Sequence, residues 1–327
     1  MRAVLCHDWN GSGGLTVEEL PAPRPGPGQL AIEVAAAGVN FADTLIVAGK
    51  YQVKPPLPFS PGLEVAGRVS AVGPGVTRVK PGDRVLGLLD WGGFAETAVA
   101  GESDVFVIPE TMDFVTAAGF PITYGTAQGA LVWRAGLRPD EVLLVHGAAG
   151  GVGLAAVEVG KAMGARVIAT AGGPDKLAVA KAHGADHLID TKCEDVRSAV
   201  KDLTGGRGAD VVFDPVGGDV FEASLRAIAW DGRLLIIGFA GGRVPQIPAN
   251  ILLVKNIAAI GLYWGSYRQQ QPARLQQAFA ELFGWYEAGK LKPHVSHRLP
   301  LEQAADALAL LGERRSTGKV VLTTNRA

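Results

Sequence analysis

The chain has 327 residues, with 31 Lys+Arg against 32 Asp+Glu and a formal charge of −1. That balance argues against a nucleic-acid or membrane-surface binder, which needs a concentrated basic face. Hydrophobic residues at 48% and charged residues at 19% exclude a disordered composition and are ample for packed cores. The outlier is glycine, 44 residues alongside 20 prolines, with no Gly-X-Y period and no low-complexity block. These glycines therefore serve particular positions: turns, close backbone approaches and helix ends.

Taken in chain order, residues 1–122 read as short strands punctuated by Gly and Pro. Gln29–Ala36, Val65–Val72 and Arg84–Leu89 are strand-like, with Gly73-Pro74-Gly75 and Pro81-Gly82-Asp83 as turns. Helical signal is confined to Phe41–Ala48 and the stretch around Thr116–Gly119. The texture changes near Ile122. From there, strands at Glu141–Gly147, Arg166–Thr170, His187–Asp190, Asp210–Asp214, Arg233–Gly238 and Ala258–Leu262 alternate with helical patterns. Six strands with helical crossovers predict a doubly wound parallel sheet, and apolar runs such as Leu234–Ile237 suit strands buried on both faces. Two more helices, about Pro272–Ala288 and Leu301–Leu311, precede a closing strand Lys319–Thr323 that can rejoin the N-terminal part.

The cysteines, Cys6 and Cys193, are too few and too far apart for a disulfide framework or a thiolate-rich zinc site. Met1–Leu5 runs at once into His7 and Asp8, so there is no signal-peptide apolar core, and no apolar run approaches membrane-span length. The expectation is a soluble, cytoplasmic protein.

The sharpest local pattern is Val145-His146-Gly147-Ala148-Ala149-Gly150-Gly151-Val152-Gly153, placed between an apolar strand and a helix. A dinucleotide needs a tight turn, bare backbone at its pyrophosphate and a helix N-terminus whose N–H groups face the anion. The three-residue spacing of Gly147, Gly150 and Gly153 is a variant of the usual fingerprint, and the competing reading is a turn built only for close packing. His146 reads as a strand-end residue rather than a ligand. The second strand ends in Thr170-Ala171-Gly172-Gly173 with no carboxylate for a ribose 2′-hydroxyl. Lys176 follows, either to meet a 2′-phosphate or as a solvated helix lysine, and Asp175 reads as a first-turn residue. The pattern favours NADPH over NADH.

The chain resembles the medium-chain dehydrogenase/reductase superfamily, in its zinc-free quinone oxidoreductase branch. The resemblance rests on Ala37-Gly38-Val39-Asn40-Phe41-Ala42-Asp43, Pro61–Gly67, Lys80–Val85, Ala148–Gly153, Asp214-Pro215-Val216-Gly217-Gly218 and Thr317-Gly318-Lys319, in order across nearly the whole chain. It implies a GroES-like, mostly β catalytic domain (residues 1–122 and 265–327) and a Rossmann domain (residues 123–264), with the active site in a cleft. Alcohol-dehydrogenase members place a zinc-binding Cys near Val39-Asn40 and a His at the position of Leu63; neither is present here. No metal is expected. Without a Lewis acid, the feasible reaction is hydride delivery to an acceptor whose conjugation spreads the developing charge.

The resemblance also implies site residues. Asn40 lies beside the nicotinamide in similar enzymes; alternatively it is the N-cap of the helix that follows, with Asp43 in its first turn. Tyr51 matches a tyrosine that donates a proton in related enoyl thioester reductases, or else it is an aromatic wall. Thr126 is placed at a helix start aimed at the cofactor, or as a cap, with Tyr124 as cleft lining or core. Gly150, Gly151, Val152 and Thr170, together with Val216, Gly217, Gly238 and Phe239 at strand ends, form the cofactor wall. Lys319 and Arg314 reach the cofactor from the tail, and Tyr263, Trp264 and Tyr267 cover the acceptor pocket or belong to core or dimer contacts. Three functions remain open: an NADPH:quinone oxidoreductase, an NADPH-dependent enone or 2-enoyl thioester reductase using Tyr51, and a non-catalytic NADPH-binding protein. The partners expected are a small-molecule quinone or enone acceptor and a second copy of the chain, joined near Val254–Gly261 as a homodimer.

Overall fold

A computed structural model describes residues 1–325, which divide into two compact units. The first comprises residues 1–122, 268–283 and the chain from Pro293 onward; the second comprises residues 123–267 and 284–292.

The first unit is a GroES-like sheet domain. Its spine is the strand Gln29–Val39, long enough to pair with several others. Along one side runs Glu64–Val72, with Gly38 opposite Glu64, and Arg84–Leu88 and Val105–Val107 follow in antiparallel order. On its other side, Thr97–Gly101 pairs with the beginning of the strand and Lys319–Thr323 with its end, Val320 lying opposite Val39. The returning tail thus completes the sheet as the sequence leads one to expect. Val295–Pro300 then adds a parallel edge beside Lys319–Thr323. This strand was not foreseen, because Ser296, His297 and Arg298 break its apolar alternation. Apolar side chains from these strands, including Leu30, Ile32, Phe94 and Leu322, pack with the helix Ala304–Gly312 into one core.

The second unit is a Rossmann domain. Six parallel strands lie in the spatial order His187–Asp190, Arg166–Ala171, Val142–Val145, Ala209–Asp214, Ile228–Ile236 and Ala258–Gly261. Strand order reverses between the third and fourth of these, the place where open α/β sheets bind ligands beyond their strand ends. Crossover helices Gly151–Ala162, Pro174–Ala182, Val196–Leu203, Gly218–Ala227 and Ala249–Lys255 connect them. The segment Gly284–Lys292, expected with the tail, belongs to this unit instead. The reason is Glu158, buried in the helix Gly151–Ala162, whose Oε2 accepts from Tyr124 Oη (2.7 Å) and from the Lys292 backbone N–H (2.9 Å). No helix among the described residues is long and apolar enough to cross a membrane.

Candidate functional site

The glycine turn lies where the strand order of the parallel sheet reverses. Gly147 takes φ +57, a conformation that a side chain disfavours, and lets the chain leave Val145 sharply. Gly153 is needed for a different reason. A Cβ there would lie 2.2 Å from the Gly147 carbonyl oxygen, so the helix can pack against the turn only if residue 153 has no side chain. The packing reading therefore holds for Gly153 and the turn reading for Gly147. Leu154 N–H is the first in the helix to find an intrahelical acceptor, Gly150 O (2.8 Å). The N–H groups of Gly151, Val152 and Gly153 precede it and are donors that a helix cannot pair within itself.

Beneath the turn lies a polar chain without local sequence signal. His146 is fully buried, with Nδ1 2.9 Å from Thr170 Oγ1 and Nε2 2.6 Å from Ser224 Oγ. Ser224 donates its own proton to Val220 O (2.7 Å), so its oxygen accepts from His146, whose proton sits on Nε2. Nδ1 is then the acceptor and Thr170 the donor. Burial holds His146 below its ordinary pKa, opposed in part by the Asp214 carboxylate. Thr170 was expected at the cofactor, yet its side chain points inward and is 1% exposed. Its carbonyl accepts from Ala148 N–H (3.0 Å), so Thr170 holds the glycine turn from below.

At the tip of the second strand, Gly173 precedes a helix that opens on Pro174. The carboxylate that reaches this turn, Asp190, comes from the next strand and is spent on the backbone N–H groups of Gly173 (2.9 Å) and Lys192 (3.0 Å). Those two bonds hold its pKa below the ordinary range. Lys176 is half-buried in the first turn of the helix. A second lysine, Lys192, lies along Gly172 and Gly173, with Nζ 3.5 Å from where a Cβ of Gly173 would be. It escaped sequence reasoning because it belongs to the following strand's exit.

The other expected wall residues come together. Asp214 Oδ1 accepts from the N–H groups of Val216 (2.8 Å) and Gly217 (2.9 Å), forming an Asx-type turn. The segment after Ile236 folds back on it, with Ala240 N–H on Pro215 O and Gly241 N–H on Val216 O. A Cβ on Gly217 would lie 3.1 Å from the Phe239 ring, and one on Gly147 would lie 3.3 Å from Val216 Cγ2. Gly147, Val216, Gly217 and Phe239 are therefore neighbours, with Gly238 beside Pro215. Arg243 ties the same segment to Asp219 and Glu222. Thr126 lies elsewhere than expected: its helix begins at Pro121, whose missing N–H suits a helix start, so Thr126 is in the second turn and buried. Tyr124 and Trp264 are core, Trp264 filling the groove left by Gly125 and Gly129, whereas Tyr263 is exposed.

In the first unit, Asn40 caps the helix Phe41–Val47, and Asp43 returns its Oδ2 to the Asn40 N–H (2.8 Å). The cap reading of Asn40 holds, and its side chain has further partners. Nδ2 donates to Glu64 Oε1 (2.8 Å), and Oδ1 accepts from Lys319 Nζ (2.8 Å). Lys319, expected to reach the cofactor, is buried, and its other donors go to Glu64 Oε1 (2.7 Å) and Val39 O (2.8 Å). Glu64 Oε2 accepts from the Ile122 N–H (2.9 Å). Tyr51 is not among Asn40's partners; it packs half-buried against the apolar core, as does Leu63.

Comparison with known proteins agrees with this architecture. The model for the alcohol dehydrogenase GroES-like domain matches residues 26–110, and that for zinc-binding dehydrogenases matches residues 151–283. A quinone oxidoreductase-like protein 2 homolog from Nematostella vectensis is 42% identical over 99% of this chain and 89% of its own length. The chain belongs to the quinone oxidoreductase branch of the medium-chain dehydrogenase/reductase superfamily. Escherichia coli quinone oxidoreductase complexed with NADPH matches with a TM-score of 0.92 and 32% identity, covering 99% of this chain and 100% of that one. A mycobacterial protein complexed with NADPH gives 0.93 and 33%, with the same coverage.

A zinc ion, which the second family model's description implies, does not fit the residues present. Leu63 offers no donor atom, and the oxygens of Asn40 and Glu64 surround an ammonium rather than converging on an open point. Among the described residues no group of three or more His, Cys, Asp or Glu could hold a metal ion. Glu64 is the member of this cluster that sequence reasoning missed; it is adjacent to Leu63, and its partner lies 255 residues away.

Asp43 supplies a pH test. Its side chain is fully buried and Oδ1 has no hydrogen-bond partner. Desolvation pushes its pKa up to about 7, against the Asn40 N–H bond and the Lys319 charge. An acid raised in the folded state favours folding while protonated, so this contribution is full below the unfolded pKa of about 4 and is lost as pH rises to about 7. Urea unfolding of Asp43→Asn and wild type is therefore expected to show wild type losing stability relative to the variant across that window. A difference that does not vary with pH would refute the assignment.

Proposed function

We propose that this oxidoreductase uses NADPH to reduce a quinone or a similarly conjugated carbonyl acceptor, without a metal ion. The observation that carries the cofactor half is the turn at Gly172-Gly173, where Lys192 lies along the backbone and Asp190, the carboxylate from the next strand, is committed to backbone N–H groups. NADPH-bound relatives of the same fold support the reading. The residues fit the cofactor: Gly150, Gly151 and Val152 offer bare backbone for the pyrophosphate, and Lys176 and Lys192 offer charge for the 2′-phosphate. Val216, Gly217, Gly238 and Phe239 line the strand ends beside it. Once bound, the cofactor supplies a hydride. Asn40 is assigned the orientation of the nicotinamide or the acceptor carbonyl, with its cap keeping the side chain fixed. The absence of a zinc-ligand set supports an acceptor that delocalises its own charge.

Three measurements test this reading. Lys176→Ala and Lys192→Ala are each expected to weaken NADPH binding by about tenfold, the worth of one charged hydrogen bond, with NADH binding unaffected. Equal affinity for the two cofactors in wild type would refute the selectivity. NADPH consumption is expected with a panel of quinones, and Tyr51→Phe should leave that rate nearly intact. A ~10²-fold or larger loss with enones in that variant would instead favour the enoyl reductase reading, in which Tyr51 donates the proton. Cofactor binding without consumption by any acceptor would point to a non-catalytic role.

The assembly we propose is a homodimer through the outer strand of the parallel sheet. Among the described residues Ala258–Gly261 pairs on one side only, and Leu253 and Val254, close before it in the chain, are 78% and 76% exposed, unusual for aliphatic residues facing water. A second copy placed edge to edge would pair the free strand and cover both side chains. Sedimentation is expected to show a dimer in wild type and a monomer in Leu253→Asp/Val254→Asp; a monomeric wild type would overturn the proposal.

A further inference from the structure

We infer that Lys319 is a positioning residue: together with Glu64 it sets which way the Asn40 carboxamide points. The inference rests on the role assigned to Asn40 above. An asparagine amide is nearly symmetric in shape, and exchanging its oxygen and nitrogen costs little unless the neighbours distinguish them. Here they do so completely. Lys319 Nζ can only donate, and it lies 2.8 Å from Oδ1. The Glu64 carboxylate can only accept, and its Oε1 lies 2.8 Å from Nδ2. Turning the amide over would set an NH2 against an ammonium and an oxygen against a carboxylate. Two repulsive contacts would replace two charge-assisted hydrogen bonds.

Both charged groups are themselves held. Lys319 donates to Glu64 and to the Val39 carbonyl, and Glu64 accepts with its second oxygen from Ile122 N–H. Space for them is made by glycines. A Cβ on Gly38 would lie 2.4 Å from Glu64 Oε1, and one on Gly119 would lie 3.1 Å from Lys319 Cβ. The pair's side chains are 7% and 0% exposed, so little of the ammonium is left to solvent or to a phosphate. The Asn40 side chain presents a fixed sense of donor and acceptor to whatever it contacts. Lys319 acts through it rather than on the cofactor.

Lys319→Met, Asn40→Ala and the combined variant separate these roles. The expected result is a fall in kcat of about tenfold to a hundredfold in Lys319→Met, from a misdirected amide, with the NADPH dissociation constant within about twofold of wild type. The combined variant should lose no more than Asn40→Ala alone, because the two substitutions remove one function. In the unliganded protein, the Asn40 side-chain amide protons, identified by their absence in Asn40→Ala, should exchange slowly in wild type and rapidly in Lys319→Met. Should Lys319→Met fail to fold because Glu64 is left charged and buried, Glu64→Gln/Lys319→Met removes both charges and carries the same expectations. A weakened NADPH affinity with unchanged kcat would make Lys319 a cofactor contact and overturn the inference. Additive losses would do the same. Full turnover in Asn40→Ala would instead refute the role given to Asn40, a failure distinct from an impaired Asn40→Ala beside an unimpaired Lys319→Met.

Discussion

An ammonium group buried among an amide, a carboxylate and a carbonyl has few ways to exist, and much of the first unit follows from that constraint. Taking either charge of the Lys319–Glu64 pair out of water alone would cost several kcal/mol. The pair is tolerable only because each group finds hydrogen-bond partners as well as its opposite charge. Such a geometry needs the tail strand Lys319–Thr323 in register with Gln29–Val39, and Glu64–Val72 in register on the other side. A slip of one residue in either strand would turn Lys319 or Glu64 to the opposite face. Sheet pairing, the residues without side chains at 38 and 119, and the cap on the helix Phe41–Val47 all serve the same few atoms.

The second unit solves a comparable problem with neutral groups. On the proposed reading the backbone around Gly147 stays open toward an anion, so little can be packed on top of it, and its rigidity has to come from below. His146 bridges Thr170 and Ser224 there, and Thr170 in turn holds Ala148 through its carbonyl. Because Ser224 donates to Val220, the direction of each proton along this chain is determined. Removing the imidazole would leave the buried Thr170 hydroxyl without its acceptor, at about 1–3 kcal/mol, while Ser224 keeps Val220. Asp214 does similar work for Val216 and Gly217.

What could be read from the sequence divides along the same line. Features specified within a dozen residues were legible: the strand–turn–helix around Gly147–Gly153, the alternation of apolar strands with helices, and the closing strand at Lys319. Features specified by contacts across the chain were not. Thr170 stands at the right strand end, yet its orientation depends on a network in which His146 lies 24 residues from Thr170 and 78 from Ser224. Lys192 is one strand removed from the turn it flanks. Glu64 has an apolar neighbour on each side, Leu63 and Val65, and nothing local shows that its carboxylate meets an ammonium. Thr126 was misplaced for a different reason, since Pro121 starts its helix earlier than the placement of Thr126 at a helix start implies.

The locked ion pair of Lys319 and Glu64 also bears on which acceptors suit the proposed site. A metal ion stabilises an alkoxide because it keeps a coordination position open to it. The Lys319 ammonium has no comparable vacancy, as its three N–H groups already meet Val39, Asn40 and Glu64. On the proposed reading, the positive charge is held for internal order and is not lent to a substrate oxygen. A carbonyl reduced there must then disperse negative charge through its own π system or take a proton quickly. Quinones meet the first condition, and conjugated enones meet it in part. The chemistry open to this chain is narrowed by the same contacts that give Asn40 its direction.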